Sequence, residues 1–173
     1  MAVIEAIATQ YLEADAASVT FSGIPATYEH LQWRGSVKGG RSGSTNNTMV
    51  TLNGDTGTNY SNHSMFASAS TAYASGYTGL SGFFTYYNTT PSVTNNASSY
   101  ATFVMDILDY RNANKNTTVA CLWGAWLDTY WYLYNTSGLW DDTAAVTSVT
   151  VIMNPTYDTV RGSEFTLYGL NSS

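Results

Sequence analysis

Residues 28–38 read Tyr-Glu-His-Leu-Gln-Trp-Arg-Gly-Ser-Val-Lys, with Leu31, Trp33, Gly35 and Val37 on one parity and Gln32, Arg34, Ser36 and Lys38 on the other. Successive strand side chains point to opposite faces, so this alternation predicts a strand with one face in a core and the other in water. On a helix the same residues would scatter around the circumference. The period of two returns along the chain: Val19 and Phe21; Phe103, Met105 and Ile107; Val149, Val151 and Met153; Phe165 and Leu167. Strands are predicted over 3–10, 17–22, 28–38, 49–52, 60–69, 77–87, 101–111, 117–126, 130–134, 146–153 and 164–170, and no window of a dozen residues carries a helical stripe.

Three local expectations follow. Residues 39–47 are a Gly/Ser/Asn loop, so strand 49–52 should pair antiparallel with 28–38. The run 117–126 is more continuously apolar, as in a strand covered on both faces. Polar stretches 88–99 and 135–142 read as loops, the second carrying Trp140. Roughly eight to eleven short strands with turn signals every ten or so residues predict an all-β chain, an antiparallel β-sandwich of jelly-roll-like kind. With 173 residues, no internal repeat and no shift of composition, one domain over 1–173 is expected.

Composition narrows the function classes. The net charge is −6 and the six basic residues, Arg34, Lys38, Arg41, Arg111, Lys115 and Arg161, are dispersed. Nucleic acid is not an expected partner, because phosphate binding needs a concentrated basic surface. Charged residues make up 10% of the chain, against roughly 25% in ordinary soluble domains. Polarity rests instead on Ser, Thr, Asn and Gly. The longest apolar run, 119–127, is too short to span a bilayer, so no membrane partner is expected. Met1 opens onto Ala-Val-Ile-Glu-Ala-Ile without a basic n-region, so no cleaved secretion signal is expected. Cys121 is the lone cysteine and sits in an apolar run, where it reads as a small buried hydrophobe.

The inventory for chemistry is thin. His30 and His63 have no metal-ligand spacing around them, and no nucleophile elbow or phosphate-binding glycine loop occurs. The carboxylate pairs Asp106/Asp109 and Asp141/Asp142 are the nearest approach to a glycosidase arrangement. Asp106, however, alternates outward from an apolar face and Asp141-Asp142 lies in a polar stretch, so both read as solvated. No catalytic residue is assigned and no enzyme activity expected.

Residues 49–63, Met-Val-Thr-Leu-Asn-Gly-Asp-Thr-Gly-Thr-Asn-Tyr-Ser-Asn-His, run from a strand through Asn53-Gly54 into a polar loop. Asp55, with the side-chain oxygens of Asn53 and Asn59 and loop carbonyls, offers hard oxygens of the calcium type. It supplies only one carboxylate, and Asp55 and Asn59 read instead as caps of turns. No metal or cofactor is expected. The fourteen Tyr and five Trp are more than one small core needs. Tyr86, Tyr87, Trp131, Tyr132, Tyr134 and Trp140 are therefore the candidate exposed aromatics, suited to a protein interface or to stacking on sugars.

Ala17-Ser-Val-Thr-Phe-Ser-Gly-Ile-Pro-Ala-Thr-Tyr28, the strand with Leu31 and Trp33, Leu52-Asn-Gly-Asp-Thr-Gly-Thr-Asn-Tyr-Ser61 and the terminal Phe165-Thr-Leu-Tyr-Gly-Leu170 together resemble tailed-bacteriophage virion structural proteins. The resemblance implies a β-sandwich on the outer surface of a phage head or tail, assembled in the host cytoplasm and bringing no catalytic residues. Without heptads or a collagen-like repeat for a shaft, a head decoration or cement protein is expected before a tail-fibre domain. Its expected partners are further copies of itself, as a homotrimer, and the major capsid protein. The alternative is a receptor- or carbohydrate-binding domain of a tail or head fibre, with a host surface glycan as partner.

Overall fold

A computed structural model describes residues 3–43, 45–94, 98–128, 130–153 and 156–172, apart from the side chains at 45, 84–89 and 130. Among the described residues the chain forms twelve strands: β1 (Val3–Tyr11), β2 (Val19–Ser22), β3 (His30–Val37), β4 (Thr45–Leu52), β5 (Tyr60–Ser68), β6 (Thr71–Leu80), β7 (Phe83–Pro91), β8 (Ala101–Ile107), β9 (Thr117–Leu127), β10 (Tyr130–Trp140), β11 (Ser148–Met153) and β12 (Glu164–Asn171). They build an eight-stranded sheet, β1-β12-β3-β8-β9-β10-β5-β6, and a four-stranded sheet, β2-β11-β4-β7. All the strand pairs are antiparallel. The all-β sandwich is as the alternation predicts.

Its wiring is that of a jelly roll. If the β9–β10 hairpin and the outer β1–β12 pair are set aside, the sheets reduce to β3-β8-β5-β6 and β2-β11-β4-β7, eight strands that cross repeatedly between two layers. The core lies between the layers. Trp33 of the large sheet is fully buried and meets Phe21 of the small sheet edge-on at 5.8 Å and Phe103 of its own sheet at 5.6 Å. Leu31, Val37, Ile107, Val149, Val151, Met153, Phe165 and Leu167 complete the same cluster, each on the parity predicted for the inward face.

Four expectations are corrected. β4 does not pair with β3: it lies between β11 and β7, while β3 lies between β12 and β8. The 39–47 connection crosses from one layer to the other, and Gly39 bridges to Ser92 and Thr159 on the way. Residues 77–87 are not one strand; they divide at Ser81-Gly82 between β6 and β7, which belong to different sheets. Gly79 takes φ +67, and a Cβ on Gly82 would stand 2.6 Å from Met49 Cγ, so the chain turns where only glycine fits. β9 is covered on one face only, with Leu122 and Trp126 exposed on the other. Lys38, expected to point outward, is buried, its ammonium 5.6 Å from the Tyr100 ring centre. Burial lowers its pKa, because the charged form is the one that loses hydration.

Candidate interaction surfaces

The loop after β4 is a corner built around one carboxylate. Asn53 and Gly54 turn the chain with φ of +53 and +68. Asp55 Oδ1 accepts the Gly57 amide at 2.8 Å, and its Oδ2 accepts Asn59 Nδ2 at 2.9 Å and Trp140 Nε1 at 2.7 Å. The Trp140 bond, then those from Asn59 and Gly57, favour the ionised carboxylate and hold its pKa below the usual range. Asn53 Oδ1 accepts the amides of Thr147 at 2.7 Å and Ser148 at 3.1 Å, while its Nδ2 donates to Ala145 O at 2.9 Å. Beneath the turn, Tyr60 accepts the Leu52 amide at 3.1 Å, and burial pushes its phenol up to about 12. The Asp55 and Asn53 oxygens named for calcium thus hold the corner together. Among the described residues no cluster of three His, Cys, Asp or Glu is placed to hold a metal.

Trp140 therefore belongs to this corner rather than to a surface loop. β10 continues through it, and the ring stacks on Tyr60 at 6.2 Å. Trp140 and Tyr134 are each 1% exposed, which corrects their reading as surface aromatics. Both sit at even positions of β10, the parity that faces the small sheet. Tyr86 and Tyr87 lie outside the described residues. Trp131, at an odd position, is exposed, and Tyr132 is half-buried.

The odd positions of β10 lead to a surface that the aromatic inventory alone misses. On the outer face of the large sheet, register pairs Trp131 with Trp126, Leu133 with Gly124 and Ala67, and Asn135 with Leu122 and Met65. Met65 is 64% exposed, Trp131 62%, Leu133 55% and Leu122 52%. The rings of Trp126 and Trp131 are 4.5 Å apart. Between these protruding side chains lie small ones, Ala120, Gly124, Ala67, Ala72 and Ala74. No Asp, Glu, Lys or Arg occupies an outward position of β9, β10, β5 or β6. The signal was present as the outward parity of β9, hidden because its run is apolar on both parities.

The acidic pairs are engaged locally, and Asp106 borders this face, across from Ala120. Asp106 accepts Gln32 Nε2 at 2.7 Å, Asp109 pairs with Lys115 at 2.7 Å, and Asp142 accepts the Ala144 amide at 2.7 Å. His30 Nδ1 accepts the Asp109 amide at 2.9 Å, whereas His63 stands exposed on the outer face of β5.

No protein-family model and no curated protein matches the chain. Among solved structures, the binding domain of botulinum neurotoxin DC in complex with rat synaptotagmin II aligns at 10% identity with a TM-score of 0.29, and the same domain in complex with SialylT at 9% identity and 0.27. Each alignment covers 98% of this chain and 42% of the other, so the chain spans well under half the length of the structures it aligns with. Agreement at that level does not reach a shared fold.

Proposed function

We propose that this protein is a non-enzymatic virion component, a decoration or cement protein that seats the outer face of its eight-stranded sheet on the major capsid protein of a phage head. The observation that carries the reading is the uncharged face of β9, β10, β5 and β6, studded with Met65, Leu122, Leu133 and Trp131. Four strands about 4.8 Å apart and about ten residues long at about 3.3 Å each present roughly 600 Å². That approaches the roughly 800 Å² per partner of a standard interface and is at the upper end of patches on monomers. The aromatic and Met content with charge excluded is the composition of an interface centre.

A homotrimer is the proposed assembly on the shell. In its favour, β1 is a nine-residue edge strand that pairs on one side only, with β12, and is exposed over almost its whole length. It has neither Lys nor Pro to block a further strand.

The test is co-sedimentation with purified shells assembled without the protein. Wild type pellets with the shells, and the Met65→Arg/Leu133→Arg double variant, which adds two charges at exposed positions, stays in the supernatant. If the double variant pellets as well as wild type, the docking face is wrong. If wild type binds host cells and no shell, the fibre reading replaces it.

A further inference from the structure

The large sheet is wider than the small one, and at the β6 edge its inner face projects past the cover. β7 packs over β8, β9, β10 and β5, and β6 is exposed along both faces. On this overhang register places three rows of inward side chains. Tyr132 lies across from Ser68, Tyr134 from Phe66 and Phe66 from Tyr73, and Ser64 from Ser75. The rings form a nearly parallel series: Tyr132 to Tyr134 at 6.1 Å and 20°, Tyr134 to Phe66 at 4.6 Å and 9°, Phe66 to Tyr73 at 5.0 Å and 18°. Ser68 and Ser75 are the small members of the array. A groove of about 380 Å³ lies over them, lined by Phe66, Ser68, Tyr73, Ala74, Ser75 and Tyr132.

We infer that this groove is a binding site for a neutral carbohydrate, a hexose unit of an uncharged glycan. Its volume is within the range of about 300–1,000 Å³ typical of small-ligand sites. The lining holds no acid, base or amide side chain, so neither an anion nor a cation finds a counter-charge there. It combines aromatic rings with hydroxyls, and a pyranose has the matching pair of surfaces: an apolar C–H face for a ring, and hydroxyls around the rim.

The edge of the sheet leaves a ring face open for stacking. Tyr73 is half exposed, and β6 is the edge strand, so its ring face turned away from Phe66 has no neighbouring strand over it. The Ser75 hydroxyl is closed off from water and has no hydrogen-bond partner, so it lies beneath the groove surface, out of direct reach of a ligand. The hydroxyls of Tyr73, Tyr132 and Ser68 are likewise without partners among the described residues. This inference stands apart from the docking reading: of the groove's lining only Ala74, on the edge strand, shares the parity of Met65, Leu133 and Trp131.

Isothermal titration of the full chain with maltohexaose, cellohexaose and mannohexaose, and with a heparin hexasaccharide as the charged comparison, tests it. At least one neutral hexasaccharide binds with Kd of about 0.1–1 mM. Tyr73→Ala weakens that binding about tenfold or more, on the scale of a lost stacking partner. Met65→Arg/Leu133→Arg leaves it unchanged. Tyr73 is on an exposed edge, and unchanged far-UV circular dichroism confirms that the variant is folded. The inference is overturned if none of the three neutral sugars binds at about 10 mM, if only heparin binds, or if binding survives Tyr73→Ala.

Discussion

Asp55 shows how one side chain decides the role of a whole loop. A lone carboxylate followed by Thr, Gly and Asn is equally compatible with a cation site and a folded corner, and what separates them is the direction of its bonds. Trp140 comes from 85 residues away to donate to it, a contact no local pattern encodes. Asp55→Ala leaves that buried indole N–H without its acceptor and removes two turn bonds. The expected loss is about 1.5–3 kcal/mol in urea unfolding, in the lower part of that range because the corner is partly solvated. Because the folded pKa is below the unfolded one, this stabilisation is complete above the ordinary carboxylate pKa. It is lost as pH falls through the folded value. Wild type minus Asp55→Ala stability, measured from neutral to strongly acidic pH, should shrink over that acid range and stay flat above it. Cys121 offers a simpler check. Burial pushes its thiol up to about 12, so a thiol reagent at neutral pH should modify it only after denaturation, and rapid labelling of the folded protein would contradict its burial.

At the scale of the element, legibility followed the contrast between the two parities of each strand. β3, β8, β11 and β12 alternate large apolar with polar residues, and their inward faces were readable because burial has the same period. β6, with Ala, Ser, Gly and Thr beside two Tyr, lies on the overhang with neither face covered, so it has no contrast and the sequence predicts only its last residues as strand. β10 failed for another reason. Its second half, Asn-Thr-Ser-Gly, has loop composition, yet both neighbours, β9 and β5, pair with it. Gly138 there is a requirement of packing: a Cβ would stand 2.5 Å from the Phe83 ring and 3.0 Å from Val119 Cγ2. Gly138→Ala should therefore cost about 1–3 kcal/mol by overpacking between the two sheets, read as a lower urea midpoint with unchanged slope. An unchanged midpoint would mean that β7 does not press on β10.

For the whole molecule, the sandwich is legible in the sequence but the candidate surfaces are not. The aromatic count groups the exposed Trp131 with Tyr132, which packs half-buried against the core, and with the buried Tyr134 and Trp140, because a count carries no parity. The outer face became visible only once register aligned Leu122, Asn135 and Met65 in one row. Layer assignment also depends on tertiary contacts: the 39–47 connection has hairpin composition and crosses between sheets. The two proposed surfaces lie on opposite faces of one sheet. Arg at Met65 and Leu133 should abolish shell binding without lowering the urea midpoint, since both positions are exposed.

Heating shells with and without the protein and following DNA release decides whether it reinforces a capsid through this sheet face. Shells carrying wild type should withstand a higher temperature than bare shells, while shells offered Met65→Arg/Leu133→Arg should behave as bare ones. Equal release temperatures for wild-type and bare shells, with host adsorption lost when the protein is missing, would rule out a reinforcing role.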